Sequence, residues 1–399
     1  MKSHRLAMLA LAALPALPLT AAAEAEVAWQ FSGFATAGVV YTDSDRLEFA
    51  RIGIDAPGGN KVDFGPDSVL GLQAGLRLGD RNAAVLQLVT RETQRGDYDP
   101  RAALAFFSHA LTDELTLRAG RLRSPFFMLS DTADINYSQM WVRPPVEVYG
   151  LNPFADLDGI DLLYRTRIGN SFVELHPYAG RSRVPVIGGG RARLDDLLGL
   201  RFTVETGRLS LSAGYARANL AVNRTSSEYR AVVAPLPPAL QAQLSGTGAD
   251  ATFSSLGLQW DDGRWLVSAE LARSTANAFA NSSTGAYLAV GRRFGSLTPY
   301  LSLARQWQDE PLVDPAAGNT PTELALIDGF NRSRNQAQRS ITAGLRWDVR
   351  QNTAIKAELA HVRTDAGAYG TFIARGNPFV PGLDRQSINL MSISIDVVF

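Results

Sequence analysis

Nearly all positively charged residues of this 399-residue sequence are arginines: it contains 36 arginines and only three lysines. A guanidinium group stays charged at ordinary pH and offers a planar fork of donors that matches a carboxylate or a phosphate. Many of these cations lie in segments where polar and apolar residues alternate. The candidates for an anion-attracting wall are Arg77, Arg91, Arg118, Arg121, Arg123, Arg165, Arg201, Arg346 and Lys356.

Residues suited to catalysis or metal binding are sparse. No cysteine is present, which excludes thiol catalysis, thiolate metal sites and disulfides. Beyond residue 23 only His109, His176 and His361 remain, and none has a neighbour at metal-ligand spacing. The glycine-rich segment 188–191 lacks the Gly-Lys-Ser/Thr ending of a phosphate-binding loop, so it predicts only a flexible exposed loop. We therefore expect no cofactor, no metal and no enzymatic activity.

The N-terminal segment predicts export. Lys2 and Arg5 precede an apolar stretch from Leu6 to Leu19, and three alanines end at position 23. This order is typical of a secretory signal peptide, so we assign residues 1–23 to the signal and 24–399 to the mature chain. The whole sequence has 39 acidic and 39 basic residues, a balance that gives no general attraction to nucleic acid.

Alternation with a period of two characterises the rest of the chain. From Val69 to Leu78, leucine and alanine occupy one face, while glycine, glutamine and arginine occupy the other. A polar turn at 79–82 leads into a second alternating segment, which predicts a β-hairpin. Similar short turns recur at 112–114, 169–170, 206–208, 261–263, 295–296 and 350–352.

Longer polar connections separate these hairpins. They cover 43–67, 92–101, 122–158, 181–196, 218–251, 273–285, 308–338 and 363–385. Because seven short turns alternate with eight long connections, we predict an all-β fold: a transmembrane antiparallel β-barrel of about 16 strands, with short periplasmic turns and long extracellular loops. The alternative is a water-soluble β-sandwich or β-solenoid, which has no reason to separate short from long connections.

The last segment and the aromatic residues favour membrane insertion. Apolar residues at 391, 393, 395 and 397 share one face with the final Phe399. Such an ending resembles the signal read by the machinery that assembles outer-membrane barrels, which we expect as a partner. Aromatic residues near the ends of predicted strands are typical of interfacial girdles. They are Trp29, Tyr41, Trp260, Trp265 and Trp347.

The mature chain as a whole resembles a Gram-negative outer-membrane porin. The segment from Leu117 to Phe126, followed by a long loop, is similar to a strand-to-loop passage of porins related to the phosphate-selective group, and 291–300 resembles a porin hairpin. The resemblance implies a location in the outer membrane of a Gram-negative bacterium, contact with membrane lipid and lipopolysaccharide, and a homotrimer. It also implies that the third long loop folds into the barrel.

That third connection, 122–158, is the longest and has an unusual composition, with four prolines and six aromatic residues. A fully solvated loop does not need so many aromatic side chains, so we predict a constriction loop inside the barrel. Its acids Asp131, Asp134 and Glu147 would then face the arginine wall and produce a transverse field. An extracellular loop or a contact between subunits is the alternative.

Together these features predict a water-filled channel for passive diffusion of small hydrophilic solutes, with a preference for anions. Two alternatives stay open. One is a plugged structural or adhesive barrel. The other is an outer-membrane hydrolase, which requires a serine close to one of the three histidines.

Overall fold

The computed structural model describes residues 27–51, 61–93, 97–186, 189–376 and 382–399. The predicted signal peptide, residues 1–23, lies outside the described residues. Sixteen long antiparallel strands form one sheet. They are β1 (Val27–Thr42), β2 (Val69–Leu78), β3 (Asn82–Arg91), β4 (Arg101–Ala110), β5 (Leu115–Arg123), β6 (Asp156–Ile168), β7 (Ser171–Pro185), β8 (Arg191–Thr206), β9 (Leu209–Asn223), β10 (Gly246–Asp261), β11 (Trp265–Ala276), β12 (Ser282–Arg292), β13 (Leu297–Glu310), β14 (Gln338–Arg350), β15 (Thr353–Thr364) and β16 (Ser387–Val398).

The sheet closes on itself. Each strand pairs with its neighbour in sequence, and β16 returns to pair with β1, with Ala37 opposite Ile395. The seam ends at Gly33 and Phe399, whose backbones exchange two hydrogen bonds of 2.7 and 3.0 Å. The prediction of a closed antiparallel barrel of sixteen strands is confirmed, and closure excludes the β-sandwich.

Alternation sets which side of the barrel each residue faces. On β16, Ile393 and Ile395 are about half exposed on the outer face, whereas Ser392, Ser394 and Asp396 are buried on the inner face. A strand places successive side chains on opposite faces, so an apolar exterior and a polar interior follow directly from the sequence.

Seven short turns connect strands at one end of the barrel, as predicted. The two-residue turn between β6 and β7 contains Gly169, whose φ of 60° lies in the left-handed region that glycine adopts without strain. The other end carries the longer connections, at 43–68, 92–100, 124–155, 186–190, 224–245, 277–281, 311–337 and 365–386.

Two of the long loops predicted from the sequence are much shorter in the structure. Segments 181–196 and 273–285 are mostly strand, so only 186–190 and 277–281 connect the strands there. Exposed arginines such as Arg183, Arg193 and Arg273 made these segments look like solvated loops. They lie on the outer face of strands that extend beyond the apolar band, where a charged side chain meets no lipid tail.

The loops carry the few helices: α1 (Val146–Tyr149), α2 (Ser227–Val233), α3 (Pro238–Leu244) and α4 (Pro321–Arg334). α4 begins with a capping box, in which Thr320 and Glu323 each accept a hydrogen bond from the other's backbone N–H. Within the described part of the chain, no helix is both long and apolar enough to cross a membrane.

Candidate functional site in the barrel lumen

The connection between β5 and β6, hereafter loop 124–155, lies inside the barrel, and the inner wall holds it by hydrogen bonds. The buried carboxylate of Glu270 on β11 accepts from the backbone N–H of Met128 at 2.8 Å and from the Tyr149 hydroxyl at 2.7 Å. Ser255 on β10 donates to the carbonyl of Phe126 at 2.7 Å. These groups attach the two ends of the loop to the same side of the wall.

A second set of buried groups holds the middle of the loop on β15. The ammonium group of Lys356 is fully buried, donates to the carbonyls of Asn136 and Trp141 at 2.6 and 2.8 Å, and pairs with Asp396 at 2.9 Å. Glu358 accepts from the backbone N–H of Val142 at 2.7 Å. A buried charge is stable only when it is compensated, so each of these groups fixes the loop backbone.

Aromatic packing completes the attachment. Phe126 and Phe127 of the loop lie edge-on to Phe253 of β10, with ring centroids 5.2 and 5.0 Å apart. The loop backbone also approaches the wall closely at Gly285 of β12, where a Cβ atom would lie 2.0 Å from the carbonyl oxygen of Glu147. Only glycine permits that approach.

Carboxylates of the loop meet the arginines of the wall. Asp134 lies between Arg123 of β5 and Arg91 of β3, at 2.6 and 3.2 Å. Burial acts to raise the pKa of Asp134, but the two guanidinium groups outweigh it and lower this pKa well below its usual range. On another part of the wall, Arg201 of β8 pairs with Asp131 at 2.9 Å.

The other predicted residues also have partners inside the barrel, with two exceptions, Arg77 and Arg121. Arg118 and Arg165 bind Asp161 and Glu174, each at 2.8 Å. Arg346 donates to the carbonyl of Gln139, and Glu147 accepts from the Gln338 amide. Arg77 on β2 is exposed and faces the inside, and among the described residues no acid lies within ion-pair distance of it. The wall charge is therefore largely compensated before any solute enters.

Arg121 lies elsewhere. It pairs in register with Asp158, and their side chains form a salt bridge of 2.6 Å. Two residues further along β6, Ile160 is 54% exposed on the outer face. Since residues two apart in a strand face the same side, Asp158 and its partner Arg121 project outward. Arg123, two residues further along β5, departs from this alternation at the end of the strand, because its buried side chain binds Asp134 of the loop. The prediction that both residues lie at the pore is wrong for Arg121, and alternation could not separate the two because it assigns them to one face.

The model of the Gram-negative porin family matches residues 10–371 of this chain. This match agrees with the architecture described above. The chain belongs to this family. This porin is therefore a protein of the outer membrane of a Gram-negative bacterium, as the sequence predicted. No curated protein sequence matches it.

Solved structures share the fold at low sequence identity. The anion-selective porin from Comamonas acidovorans is 14% identical, with a TM-score of 0.54, and the match covers 94% of this chain and 100% of that one. OmpF of Salmonella typhi, in complex with daunomycin, is 13% identical with the same TM-score, over 93% and 97% of the two chains. The outer-membrane channel DcaP of Acinetobacter baumannii is 12% identical, with a TM-score of 0.52 over 94% and 97%.

Several polar contacts of the loop could not be predicted from the sequence, among them those of Glu270 and Arg143. Glu270 stands in an ordinary alternating strand, so its inward position could have been found, but its partners in the loop could not. Arg143 of the loop binds Asp67, which lies just before β2, with its Nε 2.6 Å from the carboxylate. Both pairings join residues far apart in sequence, and local spacing contains no signal for them.

Proposed function

We propose that this porin is a passive channel through which small hydrophilic solutes cross the outer membrane. The observation that carries this proposal is the closed barrel with a polar inner face and one long loop held inside it. In a porin fold, such a loop would act as the constriction that sets a size limit. No cofactor is needed, because diffusion down a gradient requires no chemical step.

The charges support a modest preference for anions. Most wall arginines are neutralised by carboxylates of the wall or the loop, which limits their effect on a passing ion. The exposed inward-facing Arg77 and Arg167, near the short-turn end, have no acid partner within ion-pair distance among the described residues. Their fixed positive charge would raise the local concentration of anions.

The plugged barrel is the main competing function, and loop 124–155 itself favours it. The loop has polar contacts with strands on several sides of the barrel, including β3, β8, β11 and β15. A plug would also be held in this way. Ion conductance through a lipid bilayer separates the two functions, since a plugged barrel carries no current.

A hydrolase finds weaker support. The Ser387 hydroxyl lies 3.3 Å from Nε2 of His361, as nucleophilic catalysis requires. However, Arg363 donates to the same nitrogen at 3.2 Å, and Asn389 rather than a carboxylate contacts the other ring nitrogen. We therefore propose that the protein is not an enzyme. Labelling of Ser387 by a fluorophosphonate would contradict this.

Lipopolysaccharide is the proposed partner of the outer surface. Arg305, Arg339 and Arg363 lie directly opposite one another on β13, β14 and β15, and all three are exposed on the outer face near the long loops. Like charges at opposed strand positions destabilise a sheet. Phosphate groups of the outer-leaflet glycolipid would relieve this repulsion and bind several guanidinium groups at once.

A separate arc of the barrel, formed by β16 and β1 to β3, fits a contact between subunits. On β16 and β1 to β3, the exposed outward residues towards the long-loop end are small or apolar, among them Ala37, Leu70 and Leu88. We propose that this arc packs against identical subunits in a homotrimer, and that β16 is the strand engaged by the assembly machinery. A monomeric mass in mild detergent, or normal membrane insertion without Phe399, would contradict the respective proposal.

A further inference from the structure

A cavity of about 640 Å³ lies on the long-loop side of loop 124–155. Its walls are the end of that loop, the inner faces of β8 to β10 and parts of the loops that close over the barrel. The size falls within the range of small-molecule sites in proteins. The proposed diffusion of hydrophilic solutes does not explain the kinds of residue that line this cavity.

The inner wall of the cavity is apolar where a porin lumen is expected to be polar. On β8, the inward-facing Leu194 and Leu197 line it, and Phe253 of β10 continues the surface. The outward-facing Arg191 and Arg193 on the same stretch of β8 are exposed. The usual polarity of a barrel strand is therefore inverted here, with charge outside and hydrocarbon inside.

Two polar groups in the lining have unmet bonding capacity. Arg51 lines the cavity, and among the described residues no carboxylate forms an ion pair with it; its hydrogen bond is to the carbonyl of Pro66 at 3.5 Å. Burial and the nearby charge of Arg91 lower the pKa of Arg51, and they outweigh the carboxylates of Asp134 and Asp67, which act to raise it. Gln306 is 1% exposed, and its side-chain oxygen has no hydrogen-bond partner.

A partly buried cation and a hydrocarbon wall in one cavity call for a ligand with both properties. An inorganic anion would compensate Arg51 but leave the apolar wall in contact with water. A neutral apolar molecule would cover the wall but leave the partly buried guanidinium without an ion-pair partner among the described residues. A molecule with a carboxylate and an apolar body satisfies both requirements.

We propose that this cavity is a binding site for amphipathic organic anions, with the carboxylate at Arg51 and the apolar body against Leu194, Leu197 and Phe253. This inference deepens the proposed channel by naming a class of solute that binds on the extracellular side of the constriction. The binding itself does not depend on conduction.

The test uses 4-phenylbutyrate as the probe and the full-length folded protein in detergent, with isothermal titration calorimetry. Butyrate has the carboxylate without the ring, and 4-phenyl-1-butanol has the ring without the charge. We expect 4-phenylbutyrate to bind at least about tenfold more tightly than either, because each lacks one of the two contacts. Equal affinity for butyrate or for the alcohol would overturn the proposal.

Variants locate the site. Arg51→Gln should weaken 4-phenylbutyrate binding about tenfold, the loss expected for one charged hydrogen bond. Leu194→Gln should weaken it similarly by making the wall polar, and Leu197→Ala provides a milder second variant in case that one fails to fold. The matched control is Arg193→Gln, on the same strand but facing outward, which should leave the affinity unchanged.

Unchanged affinity in both Arg51→Gln and Leu197→Ala would overturn the proposal. Bilayer conductance of the same preparations keeps the two claims distinct. A protein that binds 4-phenylbutyrate through Arg51 yet conducts no ions would refute the channel and leave the binding site intact. A protein that conducts ions but does not bind 4-phenylbutyrate would refute the binding site and leave the channel intact.

Discussion

At the scale of single residues, we propose that Asp134 limits how strongly the charges of Arg91 and Arg123 act on a passing ion. Its carboxylate contacts both Arg91 and Arg123, and its lowered pKa keeps it ionised well into acid. The sequence alone placed all three near the constriction. It could not show that one acid compensates two arginines, because that arrangement depends on the path of the loop.

Replacing Asp134 by Asn should make the channel more selective for anions. The substitution removes the ion pair of Arg91, and among the described residues it leaves Arg123 with only Asp156, at 3.9 Å. One unit charge about 4 Å from an ion in water is worth about 1 kcal/mol. We expect the chloride-to-potassium permeability ratio, measured from the reversal potential in a KCl gradient, to rise about fivefold. Asp158→Asn, which breaks the outward pair with Arg121, is the control and should cause no change. Equal shifts in both variants would refute the assignment of the two pairs to opposite faces.

At the scale of elements, the alternation of polar and apolar residues predicted the positions of the strands better than the polarity of the connecting segments did. The period-two pattern identified the sixteen strands, the seven short turns and the outward face of β16. The ends of β7, β8, β11 and β12 were predicted wrongly from the polarity of their residues. A charged residue gives the same sequence signal in a solvated loop and on an outward-facing strand end. The partners of loop 124–155 were also beyond local spacing, because Glu270 lies more than a hundred residues from Met128.

Gly285 offers a test of where the loop lies. A leucine there would collide with the carbonyl of Glu147 and push the loop away from β12 towards the axis of the barrel. We expect Gly285→Leu to lower the single-channel conductance. The adjacent Ala286 faces outward, so Ala286→Leu adds the same side chain to the lipid side and should conduct like the unmodified protein. Full conductance in Gly285→Leu would show that the loop does not border the ion path.

At the scale of the whole molecule, the outer surface has an arginine-bearing arc on β13 to β15 and an apolar arc on β16 and β1 to β3. The sequence contained this division, but only the register of β13 to β15 shows that Arg305, Arg339 and Arg363 are aligned. Alignment across strands depends on the pairing of hairpins, which no single segment determines. The proposed lipopolysaccharide site and the proposed subunit contact rest on these two arcs.

Changing Arg305, Arg339 and Arg363 together to Gln should weaken binding of purified lipopolysaccharide. Each arginine near an anionic headgroup contributes about 1 kcal/mol, so the triple variant should lose about a hundredfold in affinity. The control changes three exposed arginines at the short-turn end, Arg208, Arg264 and Arg350, which lie far from the outer leaflet. Surface plasmon resonance on the detergent-folded proteins measures both. Similar losses in the two variants would indicate general charge attraction without a defined site.

The central claim is that the barrel is open to ions despite the loop inside it. Planar lipid bilayers containing the purified, folded protein test this directly. We predict discrete, ohmic current steps as single molecules insert, with a reversal potential that weakly favours chloride. A protein that inserts and migrates as a folded barrel but carries no current would contradict the channel and favour a plugged barrel.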